Sequence, residues 1–202
     1  MPDAPSAGVT GPGDQPVLGA DGGHVSTLAE FWRWSSSNLL DNTLRGLVAE
    51  YLVGLALECV DGRHRTEWDA YDLVTTDGIT VEVKSSAYLQ SWVQEKVSAI
   101  RFGVGRRTSW DAATNTYAEV AGRAADVYVF CLFHETDRER ANPLDTRQWT
   151  FFVAPTSVLD SVLGTQKSIA LGSLITRIRP TETTFAGLPA AVREMTMPRD
   201  RR

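Results

Sequence analysis

Residues 125–133 read Ala-Asp-Val-Tyr-Val-Phe-Cys-Leu-Phe, and from Val127 onward nothing in the run is charged. A run this short and this apolar, rich in β-branched and aromatic residues, is a central strand buried on both faces. Such a strand needs neighbours on either side and cover above and below. The chain must therefore build a sheet with helices packed on it.

The other segments supply those parts. Thr27-Leu28-Ala29-Glu30 has the form of a capping box and opens a short helix through Phe31, Trp32 and Trp34, which Ser35-Ser36-Ser37 interrupts. A second helix runs from Asp41 or Asn42, both good N-caps, to about Cys59, with Gly62 as its stop. Its stripe of Leu44, Leu47, Val48, Tyr51, Leu52 and Leu55 has helical spacing, and Val53 and Leu57 make the opposite side apolar too. From Trp68 the period changes to two. Residues 68–75 and 79–87 read as strands joined by Thr76-Asp77-Gly78, a hairpin signal. Residues 88–97 read as one or two helical turns, 100–104 as a strand, 106–123 and 134–148 as polar loops. A strand over 149–154, a helix over 157–163, a short element over 171–178 and a last helix over 185–195 complete the pattern. The expected class is α/β, more closely an α+β mixed sheet flanked by helices.

Residues 1–26 hold four Pro, six Gly, three Asp and no Lys or Arg. Such a segment buries too little to offset its ordering entropy, so a disordered arm is expected there. One domain should follow over 27–198, with a frayed tail at 199–202. The 202 residues carry 20 Lys and Arg against 25 Asp and Glu, a formal net charge of −5. That excludes a protein that coats nucleic acid in bulk and leaves open an enzyme that touches it over a small patch. Cys59 and Cys131 lie in apolar contexts without metal-finger spacing and read as buried free thiols of a reducing compartment. With no signal-peptide pattern and no apolar stretch near membrane-spanning length, the expected location is cytoplasmic, with no membrane partner.

Chemistry concentrates around Ile79-Thr80-Val81-Glu82-Val83-Lys84. Alternation puts Glu82 and Lys84 on one face and Ile79, Val81 and Val83 on the other. Alone, this pair is a solvated strand face. Asp72 changes the weighting. If Thr76-Asp77-Gly78 is a three-residue loop with Gly78 in the left-handed position, Thr75 faces Ile79, Asp72 faces Glu82 and Ala70 faces Lys84. Two opposed carboxylates repel unless a cation lies between them, and oxygen donors suit Mg²⁺ above all. Asp69 alternates to the other face. Glu50 is the lone charge between Arg45 and Glu58 and has Gly46 and Gly54 at i−4 and i+4. It either joins that site or pairs with Arg45 or another arginine. Arg101, Arg106 and Arg107, with Trp110 following, form the best basic cluster, as phosphate holders or as a solvated loop. Gln90 and Gln94 either contact substrate or are ordinary polar positions. Trp68, Trp92 and Trp149 sit in core-like patterns.

The ordered set Glu50 in Arg-Gly-Leu-Val-Ala-Glu, Asp72 in Trp-Asp-Ala-Tyr-Asp-Leu-Val, and Glu82-Val83-Lys84-Ser85-Ser86 resembles the PD-(D/E)XK nuclease superfamily over about residues 42–94. No Pro precedes Asp72, where Tyr71 stands. The resemblance implies a restriction-endonuclease-like αβββαβ core and a Mg²⁺-dependent DNA endonuclease, with Mn²⁺ able to substitute, of a restriction or DNA-repair system. It also implies roles. Asp72, Glu82 and the Val83 carbonyl would bind the metal. Glu50 would hold a metal-bound water or a second ion. Lys84 would orient or deprotonate the attacking water and offset charge on the scissile phosphate. Arg101, Arg106, Arg107 and Gln90 would contact DNA. The alternative is a catalytically inactive or partner-dependent nucleic-acid-binding or structural protein on the same fold, and the resemblance leaves open a homodimer or a partner subunit.

Overall fold

The computed structural model describes residues 13–60, 70–108, 110–111, 116–117 and 120–196. The expected stop at Gly62, the strand start at Trp68, Asp69, most of the expected arm's first half and the tail lie outside those residues.

The chain divides into two compact units, residues 1–38 and 39–202. In the first, β1 (Pro16–Leu18) pairs antiparallel with β2 (His24–Thr27), and α1 (Leu28–Ser36) follows. This hairpin lies where a disordered arm was expected. Its turn supplies the reason: Gly22 takes φ +79, and the Asp21 carboxylate accepts the Gly23 N–H at 2.9 Å. The capping box forms as expected. The Glu30 N–H donates to the Thr27 hydroxyl, and the Glu30 carboxylate accepts the Thr27 N–H at 2.9 Å.

The second unit opens with α2 (Asn42–Ala56), capped by Asp41, whose carboxylate accepts the N–H groups of Thr43 and Leu44. The helix ends three residues before the expected Cys59. Leu57 caps it and Glu58 takes a left-handed φ of +56, ahead of the expected stop at Gly62. Then come β3 (Leu73–Val74), β4 (Thr80–Ala87), β5 (Arg101–Gly103), β6 (Trp110–Asp111), β7 (Thr116–Tyr117), β8 (Val127–Phe133), β9 (Trp149–Pro155), α3 (Thr156–Leu163), β10 (Ser168–Ala170), α4 (Leu171–Ser173) running into a wide turn at Leu174–Ile178, β11 (Thr181–Thr183) and α5 (Leu188–Thr196).

Among the described residues, five strands form one mixed sheet in the order β11-β9-β8-β4-β3, in which only β4 and β8 run parallel. The apolar run Val127–Phe133 is its centre, and all seven residues of β8 are buried. Val127, Val129, Cys131 and Phe133 face a core closed by α2 and α5, with Ala49, Leu52, Val53, Ala191 and Val192. Tyr128, Phe130 and Leu132 face a second core closed by β5, β10 and α3. The two faces thus receive different cover, helices on one and a small two-stranded ribbon with α3 on the other. The connection from β4 to the parallel β8 carries no helix among the described residues. Residues 88–97, expected as helical turns, form an irregular loop.

Candidate functional site

The hairpin that carries the acids turns as its sequence requires. Thr75 donates its N–H to the Ile79 carbonyl at 2.9 Å, Gly78 donates to the Thr75 carbonyl at 2.9 Å, and Gly78 takes φ +82. The ladder pairs Val74 with Thr80 and Leu73 with Val81 and ends there, one residue after Asp72. β3 stops there, two residues long against eight in β4. Among the described residues, no strand bonds the edge of β4 beyond Val81. Asp72 closes it: its N–H donates to the Val81 carbonyl at 3.0 Å, and its carboxylate accepts the Val83 N–H at 2.7 Å. In an extended strand the N–H and C=O of one residue point the same way. The Val83 carbonyl thus faces the edge where the Asp72 carboxylate sits.

Glu82 and Lys84 share the face turned away from α2 and form an ion pair with each other. Both are largely buried, the side chains 13% and 19% exposed. Their neighbours across the parallel ladder are Tyr128 and Phe130. Burial pushes the Glu82 carboxyl up from its ordinary value. Lys84 opposes that rise, the Asp72 charge adds to it, and Arg107 lowers it further. Burial and the Glu82 charge likewise push the Tyr128 phenol up. The site is thus two neighbouring carboxylates and one ammonium at a half-dry strand edge.

Glu50 lies half-buried on α2. Gly54, one turn further along, is where α2 meets the hairpin: a Cβ there would lie 3.3 Å from Leu73 Cδ2 and 2.9 Å from Val60 Cγ2. Gly46 has no such neighbour. Of the two glycines flanking Glu50, only one serves close approach. Arg45, the partner considered for Glu50, is buried and gives its guanidinium to Asn42 Oδ1 at 2.6 Å and the Leu40 carbonyl at 2.9 Å. Among the described residues no three Asp, Glu, His or Cys side chains converge as a metal cage. The fold brings Asp72 and Glu82 together and does not gather Glu50 with them into such a cage.

The expected phosphate contacts separate. Arg107 is exposed on the Glu82 side and its charge is felt by both Glu82 and Tyr128. Arg106 lies 3.6 Å from Asp160, and Arg101 is exposed on β5. Gln90 points inward: it is 8% exposed, and its amide donates to the Ala87 carbonyl at 3.1 Å and Ser98 Oγ at 3.2 Å. Gln94 also turns into the loop and accepts the Gln90 N–H at 2.6 Å. The side chain of Trp110 lies outside the described residues. Sequence reasoning missed two groups here. Tyr128, the only residue of β8 with a polar tip apart from its cysteine, lies against Glu82. Arg123 is buried and joins the Val104 and Gly164 carbonyls to Asp160.

The family profile of bacteriophage T4 endonuclease IV matches residues 26–168, more than two thirds of the chain. The chain belongs to the bacteriophage T4 endonuclease IV family. The matched span encloses Glu50, Asp72, Glu82, Lys84 and Arg107 and ends at the first residue of β10. No curated protein matches the chain.

Proposed function

We propose that this chain is a metal-dependent endonuclease that hydrolyses phosphodiester bonds of DNA at a PD-(D/E)XK-type site. The observation that carries the reading is the meeting of Asp72 with the Glu82-Val83-Lys84 strand, in a chain of an endonuclease family. The donor set fits a hard divalent ion: two carboxylates held side by side in a half-buried setting, with a backbone carbonyl on the same edge. Asp72, Glu82 and the Val83 carbonyl would hold Mg²⁺, or Mn²⁺ in its place, and Glu50 would hold a water at its margin. When bound, the ion supplies Lewis acidity at the phosphate and a more acidic water.

The chain's own groups do the rest. Lys84 exchanges its bond to Glu82 for the phosphate side of the site, where its charge offsets that of the scissile group and its N–H donors orient the attacking water. Burial and the Asp72 charge push the Glu82 carboxyl up, and a cation brought next to it would offset both. Arg107 meets a backbone phosphate on the same face.

The test is incubation of the purified chain with plasmid, single-stranded and branched DNA in Mg²⁺, Mn²⁺ or EDTA. Cleavage with either ion, none in EDTA and none by Lys84→Ala is the expected result. The preferred DNA form then separates a restriction role from a repair role. Cleavage that survives EDTA, or none with any DNA and ion, rejects the reading.

A further inference from the structure

We propose that Trp92 is a base-stacking residue, held out by the loop after β4 to meet a nucleobase of the substrate strand. The inference rests on the nuclease reading above and adds a substrate contact away from the reacting phosphate.

The loop over residues 88–98 continues directly from the strand that bears Glu82 and Lys84. It is irregular but tied. Ser98 donates its N–H to the Tyr88 carbonyl at 2.9 Å and closes the loop at its base. Inside, Gln94 accepts the Gln90 N–H at 2.6 Å and donates to Ser98 Oγ at 3.0 Å. From outside, the Arg138 guanidinium donates to the carbonyls of Gln90 at 2.8 Å and Trp92 at 2.7 Å. The backbone that carries the indole is therefore fixed from two sides, including by a residue 46 positions away.

At the tip of that frame, Trp92 is 56% exposed and Val93 93%. A large aromatic left in water on a rigid mount is a contact prepared in advance, because the ordering cost of the loop is met before any ligand arrives. The size of the tip selects the occupant. Even with Val97, 47% exposed in the same loop, three apolar side chains fall far short of the surface that a stable protein–protein interface buries. One indole face matches one base, and such stacking tolerates any base because each has a π-face. Ala87, where the loop begins, is three residues beyond Lys84, about 10 Å along the strand. The loop that carries Trp92 thus starts close to Lys84 along the chain, and Lys96 in the same loop offers a cation to a polynucleotide backbone.

The experiment compares wild type, Trp92→Ala and Trp92→Phe in two readouts. One is binding of a fluorescein-labelled DNA oligonucleotide in EDTA. The other is cleavage in Mg²⁺ over a range of DNA concentration. Trp92→Ala should weaken binding about 5- to 100-fold, the range of one lost stack, and raise KM more than it lowers kcat. Trp92→Phe should recover most of the loss, and thermal unfolding should be the same in all three. Wild-type affinity in Trp92→Ala overturns the inference while cleavage by the wild type leaves the nuclease reading standing. A Trp92→Phe variant as weak as Trp92→Ala also overturns it, since a ring would then not be what matters. DNA that is bound through Trp92 but never cut rejects the nuclease reading and keeps the stack. DNA neither bound nor cut rejects both.

Discussion

The Asp72 carboxylate accepts the Val83 backbone N–H at 2.7 Å, so an acid of the candidate site also completes the edge of the strand that carries the other two groups. β3 is too short to bond that edge, and the side chain takes the place of a ladder partner. The same contact sets the carboxylate beside the Val83 carbonyl and near enough to Glu82 to raise its pKa. A structural bond and a proposed metal ligand therefore coincide at Asp72, although a carboxylate cluster by itself is expected to cost stability.

Two substitutions separate these roles. Asp72→Ala leaves the Val83 N–H unpaired and should lower unfolding free energy by about 1–2 kcal/mol in urea titration. Asp72→Asn keeps an oxygen acceptor and removes the repulsion toward Glu82, so its stability should stay within about 0.5 kcal/mol of wild type. Both should lose cleavage. Equal stability of Asp72→Ala and wild type would show that the edge bond contributes nothing.

Much of this was legible because local chemistry specified it. Thr76-Asp77-Gly78 set the turn through one left-handed glycine, and beyond the short ladder Asp72 bonds Val81 and Val83, on either side of Glu82. The apolar run of β8 announced a central strand, and Asp41 announced the start of α2. What stayed hidden depends on partners distant in sequence. Residues 88–97 have no helix because Gln90 and Gln94 bond the loop backbone and Arg138 grips it from the far side, which no local pattern reveals. Trp92 reads as a core residue in the sequence, yet the loop leaves it 56% exposed. The hairpin of β1 and β2 lay in a stretch whose composition argued for disorder, and a glycine turn with one Asp side chain sufficed to shape it.

The two glycines around Glu50 should respond in opposite senses. At Gly46 an added Cβ meets nothing within 4 Å, so Gly46→Ala should gain up to about 1 kcal/mol from helix propensity. At Gly54 the added Cβ would crowd Val60 and Leu73, and overpacking outweighs the same propensity gain. Gly54→Ala should lose on the order of 1 kcal/mol net and, by shifting α2 from β3, impair cleavage. Thermal unfolding of the two variants side by side checks the sign; stabilisation by both would mean that α2 moves without penalty.

Arg107 and Arg123 should divide just as clearly. Arg123 is buried and bonds the Val104 carbonyl at 2.9 Å, the Gly164 carbonyl at 3.2 Å and Asp160 at 2.5 Å. Arg123→Met leaves those acceptors unmatched and should cost about 2–3 kcal/mol of stability. Arg107→Gln, on an exposed residue, should leave unfolding unchanged, weaken DNA binding, and lower the slope of log affinity against log salt by about 1. An unchanged slope would remove Arg107 from the phosphate contacts.

Lys84 separates metal binding from chemistry. A charged lysine is no metal ligand, and here it pairs with the carboxylate that would take the ion. Lys84→Ala should abolish cleavage. At pH 8 its affinity for Mn²⁺, measured by calorimetry, should equal or exceed that of wild type, because a repulsion toward the cation and a competitor for Glu82 are both gone. The pH dependence should shift as well. Lys84 lowers the Glu82 pKa against the upward push of burial and Asp72, so its removal raises that pKa further. A raised carboxyl holds its proton to higher pH, and a proton on Glu82 excludes the ion. Mn²⁺ affinity in Lys84→Ala should therefore begin to fall at a higher pH than in wild type as the solution is acidified. Asp72→Asn and Glu82→Gln should bind Mn²⁺ weakly at every pH. If Lys84→Ala binds the ion as poorly as these two at pH 8, the lysine supports the site's structure instead. If it cleaves DNA at the wild-type rate, the mechanism assigned to this strand is wrong.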